Sequence, residues 1–168
     1  MNNLYFRKQT YFALFMKHLF QALLLFVALF STSAKATAQS EKNVSLNHIA
    51  VYIHDLQKST DFYKNIIGLT QIPEPFHDGR HSWFRIGEHS QLHLIEGAES
   101  VTEHDKNSHI CFTVASIEEF ISRLNKNNIW FGDWQGATGK ITIRPDKVQQ
   151  IYFKDPDGYW IEINNDTF

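Results

Sequence analysis

The residues of this chain best suited to chemistry are three histidines and one glutamate, and a period of two carries each of them. In NHIAVYIH, Ile49, Val51 and Ile53 share one side and His48, Ala50 and Tyr52 the other. In SHICFTV, Ile110, Phe112 and Val114 oppose His109, Cys111 and Thr113; in YWIEIN, Ile161 and Ile163 oppose Glu162; in QLHLIEG, Leu92 and Leu94 oppose His93. Read as half-buried strands, these stretches send His48, His93, His109 and Glu162 to the face opposite the core. Imidazoles with a carboxylate form a ligand set for Zn, Ni, Mn, Fe or Co. An ion that prefers more than these ligands keeps room for water or substrate, as Lewis-acid chemistry requires. A single strand histidine is more often a hydrogen-bonded structural residue than a ligand. The weight here comes from recurrence at corresponding strands of a repeated plan.

That plan is visible when LNHIAVYIHDLQKSTDFYKNIIGL, from Leu46, is set beside NSHICFTVASIEEFISRLNKNNI, from Asn107. Each opens with an alternating strand, passes a helix-capping residue (Asp55 or Ser116) and enters an amphipathic helix expected to run to about Ile66 or Asn127. Strand-like stretches follow: TQIPEPF, HSWFRIG and QLHLIEG in the first half, then IWFGDW, KITIRP, QQIYFKDP and YWIEIN in the second. The expected fold is α+β, a βαβββ module made twice, with the helices on one face of a cup-shaped mixed sheet. Module one is expected over about 44–98 and module two over about 106–168. The histidines at 54, 77, 81, 89 and 104 have no such relation and are expected in loops or on the surface.

The first forty residues read differently. Arg7, Lys8 and Lys17 precede the apolar run Leu19–Phe30, and STSAKATAQ follows with small residues at two overlapping A-x-A sites. This is the pattern of a cleaved secretory signal, expected to occupy 1–38 with cleavage after Ala36 or Ala38, and the run is too short for a stable membrane anchor. Residues 39–168 then form a single domain of an exported, periplasmic protein. Four of the sixteen Lys and Arg leave with the signal and none of the eighteen Asp and Glu does, so the mature charge is −6, which argues against a nucleic-acid partner. Cys111 is the only cysteine, so no internal disulfide supports the fold.

The stretches NHIAVYIHDLQKSTDFYKNIIGL, SHICFTV and KDPDGYWIEI, the last with an Asp-Pro-x-Gly turn before the strand bearing Glu162, resemble the vicinal oxygen chelate superfamily. That superfamily includes glyoxalase I, fosfomycin-inactivating thiol transferases, extradiol dioxygenases and bleomycin-binding proteins. The resemblance implies paired βαβββ modules around a divalent metal (Zn, Ni, Mn or Fe(II)), with ligands at His48, His109 and Glu162, and at His93 where some members use a carboxylate or amide and others no ligand. It also implies a small-molecule partner, and it admits a homodimer, since many relatives pair or swap modules to complete the cup. Departures sharpen the reading. The glyoxalase arginine four residues after the first histidine is Tyr52 here and its fourth-strand carboxylate is His93, which weakens a carboxylate proton shuttle. Tyr152 falls where the fosfomycin enzymes place a substrate-facing tyrosine, but their threonine two residues after the first histidine is Ala50. QLHLIEG resembles the histidine-bearing strand of small extradiol dioxygenases. The expected function is an exported, metal-dependent lyase, isomerase or dioxygenase acting on an oxygen-chelating small molecule, with Glu162, His93 and Tyr152 as its catalytic groups. The alternative is a non-catalytic module that binds a flat ligand. Trp83, Arg85, Arg144 and Tyr152 are the further cup-lining candidates, and the two arginines suit an anionic ligand.

Overall fold

The computed structural model describes residues 16–18 and 44–167. The chain divides into two units, Met1–Asn43 and Val44–Phe168. In the first, residues 16–18 are helical; the apolar run and the expected cleavage positions lie outside the described residues. Among the described residues no helix is long and apolar enough to cross a membrane.

In the second unit the repeated plan is realised. β1 (His48–Ile53) leads into α1 (Leu56–Asp61), which continues as a π-helical segment, Phe62–Ile67, and is followed by β2 (Thr70–Ile72), β3 (His81–Arg85) and β4 (Gln91–Glu96). The second half runs β5 (His109–Thr113), α2 (Ile117–Lys126), β6 (Thr142–Ile143), β7 (Gln149–Lys154) and β8 (Trp160–Asn164). The two four-stranded sheets have equivalent orders, β1-β4-β3-β2 and β5-β8-β7-β6. In each, the first strand pairs in parallel with the last and the others pair antiparallel.

Local chemistry accounts for the helices. The Asp55 carboxylate accepts from the Lys58 amide at 2.9 Å and the Ser116 hydroxyl from the Glu119 amide at 3.1 Å, so both expected caps satisfy a helix-start donor. The first helix does not stay regular to its end. Its wider π segment buries Phe62, Tyr63, Ile66 and Ile67 together, and the Tyr63 carbonyl accepts from both Gly68 and Leu69 as Gly68 turns left-handed at φ 90°. The Arg123 guanidinium, from α2, donates to the Ile66 carbonyl at 2.9 Å, supplying a partner that the end of the first helix lacks.

One apolar core serves both halves. Val51, Ile53, Phe84, Leu92 and Leu94 of the first sheet join Ile151, Phe153, Ile161 and Ile163 of the second, with Phe62, Phe120 and Leu124 from the helices. Polar clasps cross the halves at the Asp-Pro-Asp-Gly turn that introduces β8. The Tyr63 hydroxyl donates to Asp155 at 2.7 Å and the Ser59 hydroxyl to Asp157 at 2.5 Å, while the other Asp155 oxygen accepts from the Asp157 and Tyr159 amides. Gly158 sits at φ 88°, and a Cβ there would lie 2.2 Å from the Thr102 carbonyl oxygen, so the turn accepts only glycine.

One expectation needs correction. IWFGDW is not a strand: Gly132 makes isolated bridges to Thr138 and Tyr152 within a loop in which Gly136 and Gly139 turn the chain. His81 opens β3, as the strand-like HSWFRIG stretch implies, and its ring packs 4.7 Å from that of Phe76.

Candidate metal centre

The period-two reading of β1 holds: Val51 and Ile53 are buried, and His48, Ala50 and Tyr52 are exposed. In the first sheet the register sets Ala50 beside His93 and His93 opposite Trp83. The three rings form one stack, with His93 parallel to Trp83 at 3.9 Å and to His48 at 4.3 Å. His93 is 9% exposed. Burial, and then the neighbouring imidazoles of His48 and His81, hold it below the ordinary histidine value, so the ring is neutral near pH 7.

The second sheet brings together His109 and Glu162. Their facing atoms, Nε2 and Oε2, are 3.2 Å apart, and Glu162 is 5% exposed. Glu162 is surrounded by donors: the amides of Gln150 (2.6 Å) and Asn164 (3.0 Å) and the Cys111 thiol (3.2 Å) reach Oε1, and the Tyr152 hydroxyl reaches Oε2 at 2.8 Å. Burial raises the carboxyl group's affinity for a proton, but the bonds from Tyr152, Asn164, Cys111 and Gln150 outweigh it and leave Glu162 below the usual carboxylate range. Its neighbours shift the other way. Burial, then the bond to Glu162, push the Cys111 thiol up to about 12 and hold the Tyr152 phenol well above its ordinary value. Neither is a base at neutral pH; both act as donors that fix the carboxylate.

The hydrogen-bond pattern determines which histidine nitrogens carry a lone pair. Nδ1 of His109 lies 2.8 Å from the Lys106 carbonyl, which can only accept, so that nitrogen bears the proton and Nε2 is unprotonated in the neutral ring. Nδ1 of His48 bonds Oδ1 of Asn47 at 2.8 Å and likewise leaves Nε2 free. His93 differs: its Nε2 bonds Oε1 of Gln91 at 2.8 Å, which leaves the lone pair on Nδ1. In the second sheet, therefore, a neutral imidazole lone pair faces a carboxylate oxygen. Two acceptors at that distance require a cation between them or a proton on the ring, and this donor set fits a divalent metal with a carbonyl-fixed histidine tautomer.

The four expected ligands form two pairs, His48 with His93 and His109 with Glu162. Among the described residues no three His, Cys, Asp or Glu side chains come together as a group able to hold a metal ion. A cavity of about 830 Å³ opens beside Glu162 and is lined also by Cys111, Gln150 and Asn164, with Arg85 and Arg144 on its wall. Of the further cup candidates, Trp83 thus stacks on His93, Tyr152 holds Glu162, and the two arginines border the cavity. Sequence reasoning missed Gln150 and Asn164. The Asn164 amide reaches Glu162 as its same-face neighbour two residues on in β8, while that of Gln150 reaches it only through the β7–β8 register, and a strand amide gives no signal of either role by itself.

The comparisons with known proteins agree with this architecture. Residues 45–163 match the model of the Glyoxalase/Bleomycin resistance protein/Dioxygenase superfamily. A metallothiol transferase FosB of Staphylococcus saprophyticus is 30% identical over 73% of this chain and 78% of its own length. Glyoxylase I 4 of Arabidopsis thaliana is 28% identical over 72% of this chain and 70% of its own. Among solved structures, oxidase ChaP-H2 superposes with a TM-score of 0.62 at 25% identity, covering 74% of this chain and 95% of that one. With the family model spanning both βαβββ modules and the strands that carry His48, His93, His109 and Glu162, the chain belongs to the Glyoxalase/Bleomycin resistance protein/Dioxygenase superfamily.

Proposed function

We propose that this protein is a divalent-metal-dependent enzyme of the superfamily, exported to the periplasm, that acts on a small oxygen-chelating molecule. The observation that carries the reading is that Nε2 of His109, the nitrogen without a proton in the neutral ring, faces Oε2 of Glu162 at 3.2 Å. His48, with the same free nitrogen, completes the ligand set. His93 is either the fourth ligand, through Nδ1, or the acid–base group beside the site. When bound, the metal supplies Lewis-acid polarisation of the substrate's oxygens. The chain's own groups do the rest. Tyr152, Gln150 and Asn164 keep Glu162 ionised and oriented, so it is better suited to hold a cation than to take a proton. The neutral His93 ring is the group suited to move one.

Because the two pairs do not meet as one group among the described residues, the proposal includes a second copy of the chain. The first-module pair of one copy joins the second-module pair of its partner, so a dimer carries two complete sites. The relatives include a thiol transferase, a lyase and an oxidase by their names, which supports chemistry on a small molecule without choosing the reaction. The reaction is of lyase or isomerase type if His93 shuttles a proton, and of extradiol type if two histidines and Glu162 hold ferrous iron.

The test is metal analysis of protein purified without chelator, followed by turnover on hemithioacetals, catechols and fosfomycin. About one divalent ion per chain, lost in a His48→Ala, Glu162→Ala double variant, is expected. Protein that arrives metal-free and takes up none of Zn, Ni, Mn or Fe(II) in titration overturns the reading and leaves a module that binds a flat ligand without catalysis.

A further inference from the structure

Three cations lie on or beside the open face of the second sheet, and two of them are neutralised. Lys154 pairs with Glu103, and Arg144 pairs with Asp146 at 2.5 Å and Asp166 at 3.2 Å. Lys106 is half-buried and has no carboxylate within ion-pair distance among the described residues. Its ammonium is held instead by aromatic faces and carbonyls. It lies 4.4 Å from the centre of the Trp160 ring, 5.4 Å from that of Tyr152 and 5.7 Å from that of Trp134. It donates to the Trp134 carbonyl at 3.1 Å and more weakly to that of Asp133 at 3.5 Å. Ring faces and carbonyl dipoles orient an ammonium and offset part of its desolvation, but they do not cancel its charge. An ammonium has three N–H donors, and at most two are used.

The position of this charge relates it to the proposed metal centre. The Lys106 carbonyl fixes His109, and the Tyr152 ring beneath its ammonium carries the hydroxyl that bonds Glu162. Lys106 is thus one side chain removed from both His109 and Glu162, with Trp160 two residues before Glu162 on the same face of β8. The short Lys-Asn-Ser-His connection allows its backbone to orient a ligand imidazole while its side chain presents a cation to the same face.

We propose that Lys106 is a substrate-positioning residue that receives the anionic end of the substrate, a carboxylate, phosphonate or phosphate, while the substrate's oxygens reach the His109–Glu162 pair. The inference rests on the reading of that pair as part of a catalytic site and names the substrate class for it. The three rings hold the ammonium in place before the ligand arrives, so little side-chain freedom is lost on binding. A trimethylammonium-type cation is the wrong charge for this cage, since Lys106 already occupies it.

The experiment is calorimetric titration with methylphosphonate, with tetramethylammonium as the opposite-charge control, on metal-loaded and on chelator-treated protein. Saturable binding of the anion to both forms, and none of the cation, is expected. Lys106→Gln and Lys106→Met, the latter keeping an unbranched stem over the rings, weaken the anion by at least about tenfold, the loss of a bond to a charged group, with metal content and far-ultraviolet circular dichroism unchanged. Lys106→Arg retains binding within about threefold and Lys154→Gln leaves it unaltered, because Lys154 is already paired. Equal binding by the Lys106 variants, loss in Lys154→Gln instead, binding of the cation, or no binding of the anion at all each overturns the inference. A chain that binds methylphosphonate through Lys106 but holds no metal sinks the metal reading and not this one. A metal-loaded chain whose anion binding is indifferent to Lys106 does the reverse.

Discussion

Nε2 of His109 stands 3.2 Å from Oε2 of Glu162, although the other nitrogen of that ring is already committed as a donor to the Lys106 carbonyl. With the ring neutral, two acceptors stand face to face where a metal cation or a ring proton must bridge them, and Oε2 is also the less encumbered oxygen, with Oε1 taking three donors against the single hydroxyl of Tyr152 on Oε2. Glu162→Gln replaces one acceptor oxygen by a donor and removes the charge. Metal affinity is expected to fall by more than about a hundredfold, beyond the ~10–100-fold typical of an outer-shell change, as read by competition with a chromophoric chelator. Retention of parental affinity would remove Glu162 from the ligand set.

Tyr152→Phe tests the support rather than the ligand. It deletes a 2.8 Å bond to Glu162 while keeping the ring under Lys106. The expected effect is a loss of about tenfold in metal affinity with little change in fold. A loss as large as that of Glu162→Gln would mean that Tyr152 itself contacts the ion.

If two copies complete each site, inactive variants should rescue one another. His48→Ala disables the first-module pair and His109→Ala the second. In a heterodimer of the two, both changes fall in the same composite site and the other site is intact. Refolding an equal mixture should restore roughly a quarter of wild-type metal binding or turnover, since about half the dimers are mixed and each has one good site of two. No recovery above either variant alone places all the ligands on one chain.

The sheets that hold these residues were readable because burial of one face enforces a period of two. Ile49, Val51 and Ile53 could not face the core without turning His48 outward, and Asp55 and Ser116 marked both helix starts through their capping carboxylate and hydroxyl. What depends on register or on loop path was not readable. The stack of Trp83 on His93 needs the β3–β4 pairing, the bond from Gln150 to Glu162 needs that of β7 and β8, and Lys106 reaches Trp134 only because the loop after α2 folds back. IWFGDW has strand composition, but its glycine serves a close approach: a Cβ on Gly132 would lie 2.9 Å from the Ala137 carbonyl oxygen, so it forms a bridge and not a strand.

The sandwiched His93 has a predictable titration. Its value in the folded chain is lowered by burial first and by the His48 and His81 rings next. A group lowered on folding contributes stability above its unfolded value and loses it as the pH falls, because the unfolded chain takes up the proton first. Metal-free protein should therefore lose stability below about pH 6.5. In His93→Gln that part of the slope should disappear, as measured by urea unfolding across the range. The His93 imidazole resonances should titrate below the ordinary midpoint, and a midpoint above it would show that the stack does not exclude the charged ring.

The clasp between the halves answers to pH in the opposite direction. Tyr63 donates to Asp155 at 2.7 Å, and burial, then the charge and the acceptor of Asp155, raise its proton affinity well above that of a free phenol. Its stabilisation is intact below the unfolded value of about 10 and is lost as the pH rises, since the unfolded chain then releases a proton that the folded chain keeps. Tyr63→Phe removes the ionisable group together with the bond. At neutral pH the variant should be less stable by about 1–3 kcal/mol, the penalty for leaving a buried Asp155 oxygen short of a donor. Above pH ~10 its unfolding midpoint should fall less steeply than that of the parent, so the two curves converge. Parallel curves would show that Tyr63 ionises as easily in the folded chain as in the unfolded one and that its bond to Asp155 does not hold the two modules together.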